Sequence, residues 1–125
     1  MSPRNVSIIA IGSELLSGEV QDSNSAYLAK ELQARGFSVI SICVVDDVEE
    51  QIFKALSEAS AGSELIFTIG GLGPTSDDLT RESLARASGE ALTEDAASLE
   101  RLQLYAKNRG RVLNENSRKQ ALFPK

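Results

Sequence analysis

The sequence predicts an α/β fold built around a parallel β-sheet, and three observations indicate this class. Three runs of apolar and β-branched residues are predicted as strands, over residues 6–11, 37–45 and 65–69. Each run is followed by apolar residues at helical spacing. Glycines or acidic residues come directly after every strand. Strand–helix repeats of this kind form right-handed crossovers, so we expect one domain, residues 1–125, with helices packed on a parallel sheet.

The elements between the strands are predicted from caps and stop signals. The first helix is expected to follow the capping residues 22–25 and to end at Gly36. Thr93 is a plausible cap for a long fourth helix, and a last helical piece is expected from Glu115 to Leu122. The predicted helices cover about residues 26–35, 52–61, 80–88, 94–110 and 115–122.

Composition excludes several classes of function. The net charge of −5 argues against a nucleic-acid partner, because such binding depends on basic residues meeting phosphates. The chain has no histidine, which removes Ser-His-Asp and Cys-His mechanisms and histidine-ligated metals. The single cysteine, Cys43, is expected to be a small core residue, and the absence of disulfides suits the cytoplasm. The apolar run 6–11 is too short for a membrane span, so no membrane partner is expected.

The loop after the third predicted strand carries the main functional signal. Gly70, Gly71 and Gly73 would let backbone N–H groups approach an anion at the start of the next helix. Asp77 and Asp78 follow, and two carboxylates beside an anion would repel it unless a cation lies between them. The loop therefore predicts a divalent metal with a phosphate-bearing ligand.

The topology places this loop beside two others. Parallel strands bring their carboxyl ends to one edge of the sheet, where ligands bind in open α/β folds. The loops at that edge are residues 12–18, the Asp46-Asp47 pair and residues 70–78. All three carry acidic residues and two carry glycines. We expect one site formed by all three loops.

Three blocks of the sequence resemble the N-terminal domain of the CinA (competence/damage-inducible) family. They are GSELLSGEVQDSNSAYLAKEL at 12–32, TIGGLGPTSDDLT at 68–80 and NENSRKQALFP at 114–124. The resemblance implies a three-layer α/β/α sandwich with a mostly parallel sheet, the molybdopterin-binding fold, often found as a homo-oligomer such as a trimer or dimer. The family's fold normally continues with a further strand and A-P-G and L-P-G-x-P blocks, so we expect a domain truncated at its C-terminus.

The resemblance also assigns residues to roles. It implies that Asp78 and Asp47 are catalytic and bind Mg²⁺ or another divalent cation, with Asp77 as an additional metal ligand. Arg118 and Lys119 are implied to meet a phosphate or a neighbouring subunit. The positions that match the ligand- and phosphate-binding region are Gly12, Ser13, Glu14, Asn24, Ser25, Gly70, Gly71, Leu72, Gly73 and Thr75.

Each of these assignments has a purely structural alternative. The glycine loop could be only a tight turn between strand and helix. Asp77 or Asp78 could cap the next helix, and Asp46-Asp47 could cap the helix that follows them. Glu14 could be a solvated side chain, and so could Arg118 and Lys119 on a polar helix face.

Three functions fit the predicted site. The leading hypothesis is metal-dependent hydrolysis of the pyrophosphate bond of a nucleotide such as ADP-ribose, by a cytoplasmic protein that binds a small phosphorylated ligand. The second is a module that binds molybdopterin or a nucleotide without chemistry. The third is molybdopterin adenylyl transfer, which the G-L-G-P-T-x-D-D type of loop makes less favoured.

Overall fold

A computed structural model describes residues 2–125, which form five strands and six helices. The strands are β1 (Asn5–Ile11), β2 (Ser38–Val45), β3 (Leu65–Ile69), β4 (Leu92–Glu94) and β5 (Leu122–Pro124). The helices are α1 (Ser13–Leu16), α2 (Ser23–Ala34), α3 (Glu49–Gly62), α4 (Thr80–Ser88), α5 (Ala96–Asn108) and α6 (Glu115–Arg118), with a 3-10 turn at Lys119–Ala121.

The main sheet has the order β2-β1-β3, and both pairings are parallel. Residue 8 of β1 lies between Ile42 of β2 and Phe67 of β3. The central strand is apolar along nearly its whole length because helices cover both of its faces. The predicted parallel α/β fold is therefore confirmed.

Two helices on opposite faces of the sheet make the three layers that the resemblance implied. On one face Ile9 and Ile11 pack with Ile52 and Leu56 of α3. On the other face Val6 and Ile8 pack with residue 32 of α2. Alternate residues of a strand point to opposite faces, so the nearly unbroken apolar run of β1 supplies both halves of the core.

Cys43 has the structural role expected of it. It lies on β2 and packs against the cluster between the sheet and α3. Partial burial raises the pKa of its thiol above the ordinary value, which disfavours the reactive thiolate.

The C-terminal third differs from the sequence prediction. Thr93 does not cap a helix: it lies in β4, opposite Phe123 of β5. The cap of α5 is Asp95, whose carboxylate accepts a hydrogen bond from Ser98 N at 2.8 Å. The last helical piece ends early, because Leu122 enters the antiparallel β4–β5 pair. Strands of three residues carry too little alternation to be recognised from sequence.

Candidate functional site

The loops after β1 and β2 are joined by hydrogen bonds at the carboxyl edge of the sheet. Gly12 N donates to Val45 O at 3.0 Å. Ser13 N donates to Asp47 Oδ2 at 3.1 Å, which fixes one oxygen of that carboxylate against the first loop. Asp47 therefore lies where the parallel topology predicts, beside the loop that follows β1.

The loop after β3 folds back onto β1 and α4 through two glycines. Gly70 and Gly71 have φ values of 97° and 69°, in the left-handed region that favours glycine. A Cβ at Gly70 would collide with the carbonyl oxygen of Ile11, and one at Gly71 would collide with Thr80 Oγ1. The close approach explains why both positions hold glycine, and it brings the first and third loops together.

Asp78 is held inside this loop by Thr75. Its Oδ2 accepts hydrogen bonds from Thr75 N at 2.9 Å and from Thr75 Oγ1 at 2.8 Å. Burial raises the pKa of Asp78, but hydrogen bonds from Thr75 and Gly73 and the charge of Lys119 outweigh it and hold the pKa below its ordinary value. Asp78 is therefore a fixed carboxylate at neutral pH, whereas Asp77 is exposed to solvent.

Neither aspartate pair caps a helix. The residue at the N-cap of α4 is Leu79, and the residue at the N-cap of α3 is Val48, and neither makes a side-chain capping bond. The alternative in which Asp77 or Asp78 caps α4 is wrong, and so is the corresponding alternative for Asp47. The carboxylates of Asp47 and Asp78 are placed by loop contacts instead.

Two residues of α4 hold the glycine loop and were not singled out from the sequence. Thr80 is buried, and its Oγ1 donates to Gly70 O at 2.8 Å. Arg81 is also buried and donates from Nη2 to Leu72 O at 2.5 Å. Burial lowers the pKa of the Arg81 guanidinium, although Glu82 and Asp78 oppose this effect. A Thr-Arg pair at the start of a helix is too common in sequences to indicate these contacts.

Lys119 and Arg118 are committed to contacts within the protein. Lys119 Nζ donates to Thr75 O and to Asp78 O, both at 2.6 Å, and so joins the two ends of the turn that orients Asp78. Arg118 forms a two-pronged ion pair with Glu94 at 2.6 and 3.0 Å. The phosphate or subunit contacts implied for these residues find no support in this arrangement.

The remaining predicted residues surround the first loop. Glu14 is exposed, yet its carboxylate lies so close to the buried Gly12 that a Cβ added at Gly12 would be 2.5 Å from Glu14 Oε1. Ser25 is buried and donates from its backbone N to Asp22 at 3.1 Å, while its Oγ has no partner within residues 2–125. Asn24 is exposed in the first turn of α2.

The predicted metal ligands do not form a preassembled cluster. Within residues 2–125, no three His, Cys, Asp or Glu side chains lie together in a way that could hold a metal ion. Asp47 and Asp78 nevertheless offer carboxylate oxygens, the donor type that Mg²⁺ prefers, from the loops that follow the two outer strands of the β2-β1-β3 sheet. Mg²⁺ commonly binds through one or two carboxylates, substrate phosphate oxygens and water, so the donors fit a cation that arrives with its ligand.

The family profile described as "Probable molybdopterin binding domain" matches residues 7–123. The chain belongs to this family. A CinA-like protein of Deinococcus deserti is 46% identical over 114 residues, which cover 91% of this chain and 28% of that protein. The chain thus spans less than a third of the curated relatives it matches, and the resemblance to the CinA family is confirmed.

CinA and MoaB proteins of known structure share the fold of this chain. The protein CinA of Thermoplasma acidophilum, described as having unknown function, superposes with a TM-score of 0.89 at 33% identity, over 99% of this chain and 72% of the other. The molybdopterin biosynthesis enzyme MoaB of Thermus thermophilus gives a TM-score of 0.63 at 26% identity, over 81% and 63%. None of the helices in residues 2–125 is sufficiently long and apolar to span a bilayer.

Proposed function

We propose that the domain binds a phosphorylated nucleotide at the carboxyl edge of the sheet and, with a divalent cation, hydrolyses its pyrophosphate bond. ADP-ribose and FAD are substrates of the required kind. One observation supports the proposal. The hydrogen bond from Ser13 to Asp47 joins the loops that follow β1 and β2, and the loop that follows β3 holds Asp78 as a carboxylate at the same edge of the sheet. Because β1 lies between β2 and β3, we expect Asp47 and Asp78 to lie on either side of a bound ligand.

The roles of the chain's own groups follow from their contacts. The glycine loop offers backbone N–H groups beside the N-terminus of α4, where a phosphate is favoured by the helix dipole. Thr75 fixes the orientation of Asp78 and, with Gly73 and Lys119, keeps it deprotonated, which suits a carboxylate that holds a cation. Asp47 keeps one oxygen on the first loop and has the other for a ligand. A bound Mg²⁺ would polarise the phosphoryl oxygens and lower the pKa of a water molecule.

A binding role without hydrolysis is the second proposal. The family description names molybdopterin, and the MoaB neighbour is named as a molybdopterin biosynthesis enzyme. The same loops would then hold molybdopterin or a nucleotide in a regulatory or scaffolding module, or in adenylyl transfer. In each case we propose a cytoplasmic homo-oligomer with a small phosphorylated ligand.

AMP release decides between these proposals. The purified chain is incubated with ADP-ribose, FAD or NAD⁺, with Mg²⁺ or Mn²⁺, and in parallel with a chelator. Chelator-sensitive AMP release is the expected result. Ligand binding in a thermal-shift assay without AMP release would support the binding module instead. Pyrophosphate released only when ATP and molybdopterin are present together, with AMP retained on the pterin, would point to adenylyl transfer.

A further inference from the structure

A groove of about 770 Å³ runs along α5. It lies between α5 and the returning segment 111–114, and its lining comes entirely from residues 98–120. Leu102, Ala106 and Leu113 supply apolar surface within it. None of the residues assigned to the phosphate site belongs to this groove, so the proposed hydrolysis leaves it unexplained.

The helix that forms the groove is poorly covered by the rest of residues 2–125. The helix α5 has 13 residues and buries none of its side chains, whereas α2, α3 and α4 each bury at least two. Tyr105 is 58% exposed, and Val112 on the opposite rim is 94% exposed. Clustered apolar exposure of this kind marks a surface that contacts another molecule.

The charge on the groove has one sign. Arg101, Arg109 and Arg111 line it, and no aspartate or glutamate does. The other arginines are already engaged: Arg81 bonds a backbone carbonyl, and four arginines pair with glutamates, at positions 4, 35, 86 and 118. The chain has a net charge of −5. Within residues 2–125, the side chains of the three arginines of this groove neither pair with a carboxylate nor bond a backbone carbonyl. A negatively charged molecule in the groove would therefore contact all three arginines.

Tyr105 and Arg109 lie together on the rim of the groove and are available to contact a partner. The Arg109 guanidinium lies 4.4 Å from the centre of the Tyr105 ring, a cation–π distance that restrains both side chains. Tyrosine and arginine are enriched among the residues that dominate binding energy in protein interfaces. The rim thus has the composition of a protein-binding surface.

We propose that the groove binds an acidic amphipathic helix of a partner protein, with its apolar side chains on Leu102 and Leu113 and its carboxylates on the three arginines. The spacing of the arginines favours a peptide segment as the ligand over a single small anion. Arg101 and Arg109 are eight residues apart, about 12 Å along a helix. A helix carrying glutamates along one side can meet charges spread over that distance while its apolar face fills the groove.

A designed peptide tests the proposal on the full chain. The probe is a fluorescein-labelled peptide of about 15 residues, near the minimum length for an isolated helix, with leucines at helical spacing and glutamates elsewhere. A matched peptide carries lysine in place of every glutamate. Fluorescence anisotropy is expected to show saturable binding of the glutamate peptide, weakened by added salt, and no binding of the lysine peptide.

Variants of the groove identify the site. Replacing all three arginines by glutamine, R101Q/R109Q/R111Q, is expected to weaken binding about tenfold, because three exposed ion pairs are lost. The control R4Q/R35Q/K54Q changes the net charge equally outside the groove and should bind as the parent does. Val112→Ser removes exposed apolar surface without touching the core and should also weaken binding. Circular dichroism checks that each variant is folded.

Four results would overturn the proposal. They are the absence of saturable binding by the glutamate peptide, an equal loss in the control variant, tighter arginine-dependent binding of oligothymidylate, and self-association that the groove variant abolishes. The third would identify a single-stranded nucleic acid as the occupant, and the fourth a second copy of this chain.

Discussion

Asp78 is oriented chiefly by one neighbour, Thr75, which also helps Gly73 and Lys119 to keep its pKa low. Both hydrogen bonds from Thr75 end on the same carboxylate oxygen, so the second oxygen is left with a fixed direction. A carboxylate oriented in this way loses little conformational entropy when it binds a cation or accepts a proton. Asp77, one residue away, is exposed.

The contrast between the two aspartates predicts different effects of the same substitution. Asp78→Asn is expected to abolish AMP release and to leave the fold intact, because the amide keeps the shape but loses the charge. Asp77→Asn is the matched control and should retain most of the activity. Steady-state AMP assays and circular dichroism measure both. An active Asp78→Asn variant would contradict the assignment.

Replacing the single residue Gly71 is expected to lower the stability of the fold. Gly71→Ala should destabilise the fold by at least about 1 kcal/mol more than Gly110→Ala, because the added methyl overlaps Thr80. Both glycines have positive φ, but a Cβ at Gly110 meets nothing within 4 Å, so that variant isolates the backbone cost. Urea denaturation gives the free energy of unfolding for each. Equal losses would mean that the loop relaxes around the methyl group.

The sequence predicted the positions of two loops, while the functional roles of their residues stay predictions. Glycines followed by two acids located the loop, and parallel topology located Asp47 at the same edge. Thr80 and Arg81 were missed because their roles depend on backbone carbonyls of the loop, which become partners only after folding. Lys119 was noticed, but its carbonyl partners lie more than forty residues away in the chain.

At the scale of elements, contacts of Lys119 hold the 3-10 turn and the glycine loop together. Lys119 spans the turn from Thr75 to Asp78, and it is also 3.8 Å from Glu82 on α4. The C-terminal segment is therefore a brace for the loop that carries Asp78.

Removing this brace should loosen the loop. Lys119→Met is expected to lower the free energy of unfolding by about 2 kcal/mol, because two charge-assisted hydrogen bonds are lost from a mostly buried side chain. Amide hydrogen exchange across residues 70–80 should become faster. Lys30→Met, at an exposed position on α2, serves as the control. Unchanged exchange in the loop would argue against the brace.

At this scale the sequence predicted long elements well and short ones poorly. The strands of the main sheet were recognised because residues 6–11 and 65–69 are largely apolar on both faces. The four-residue α1 and the β4–β5 pair were missed because neither is long enough to show its pattern. Thr93 was predicted as the cap of α5, whereas the cap is Asp95; both residue types cap helices, and the strand pairing of Thr93 decides between them.

For the whole molecule, the lack of a preassembled acidic cluster in residues 2–125 predicts coupled binding of metal and ligand. Millimolar Mg²⁺ alone should leave the melting temperature unchanged, and Mg²⁺ with ADP-ribose should raise it more than ADP-ribose does alone. Differential scanning fluorimetry measures all three conditions. A large shift from Mg²⁺ alone would indicate a metal site complete without a ligand.

The strand order has a consequence for how the chain folds. Within residues 2–125, β1 precedes the other strands and is the central one of its sheet, and the residues that pair with it begin at Ser38 and Leu65, much later in the chain. Until β3 leaves the ribosome, the most apolar segment of the protein has one open edge and an incomplete cover. Parallel pairing across such separations folds slowly, so the nascent chain passes through an interval in which β1 is exposed to aggregation and to chaperones.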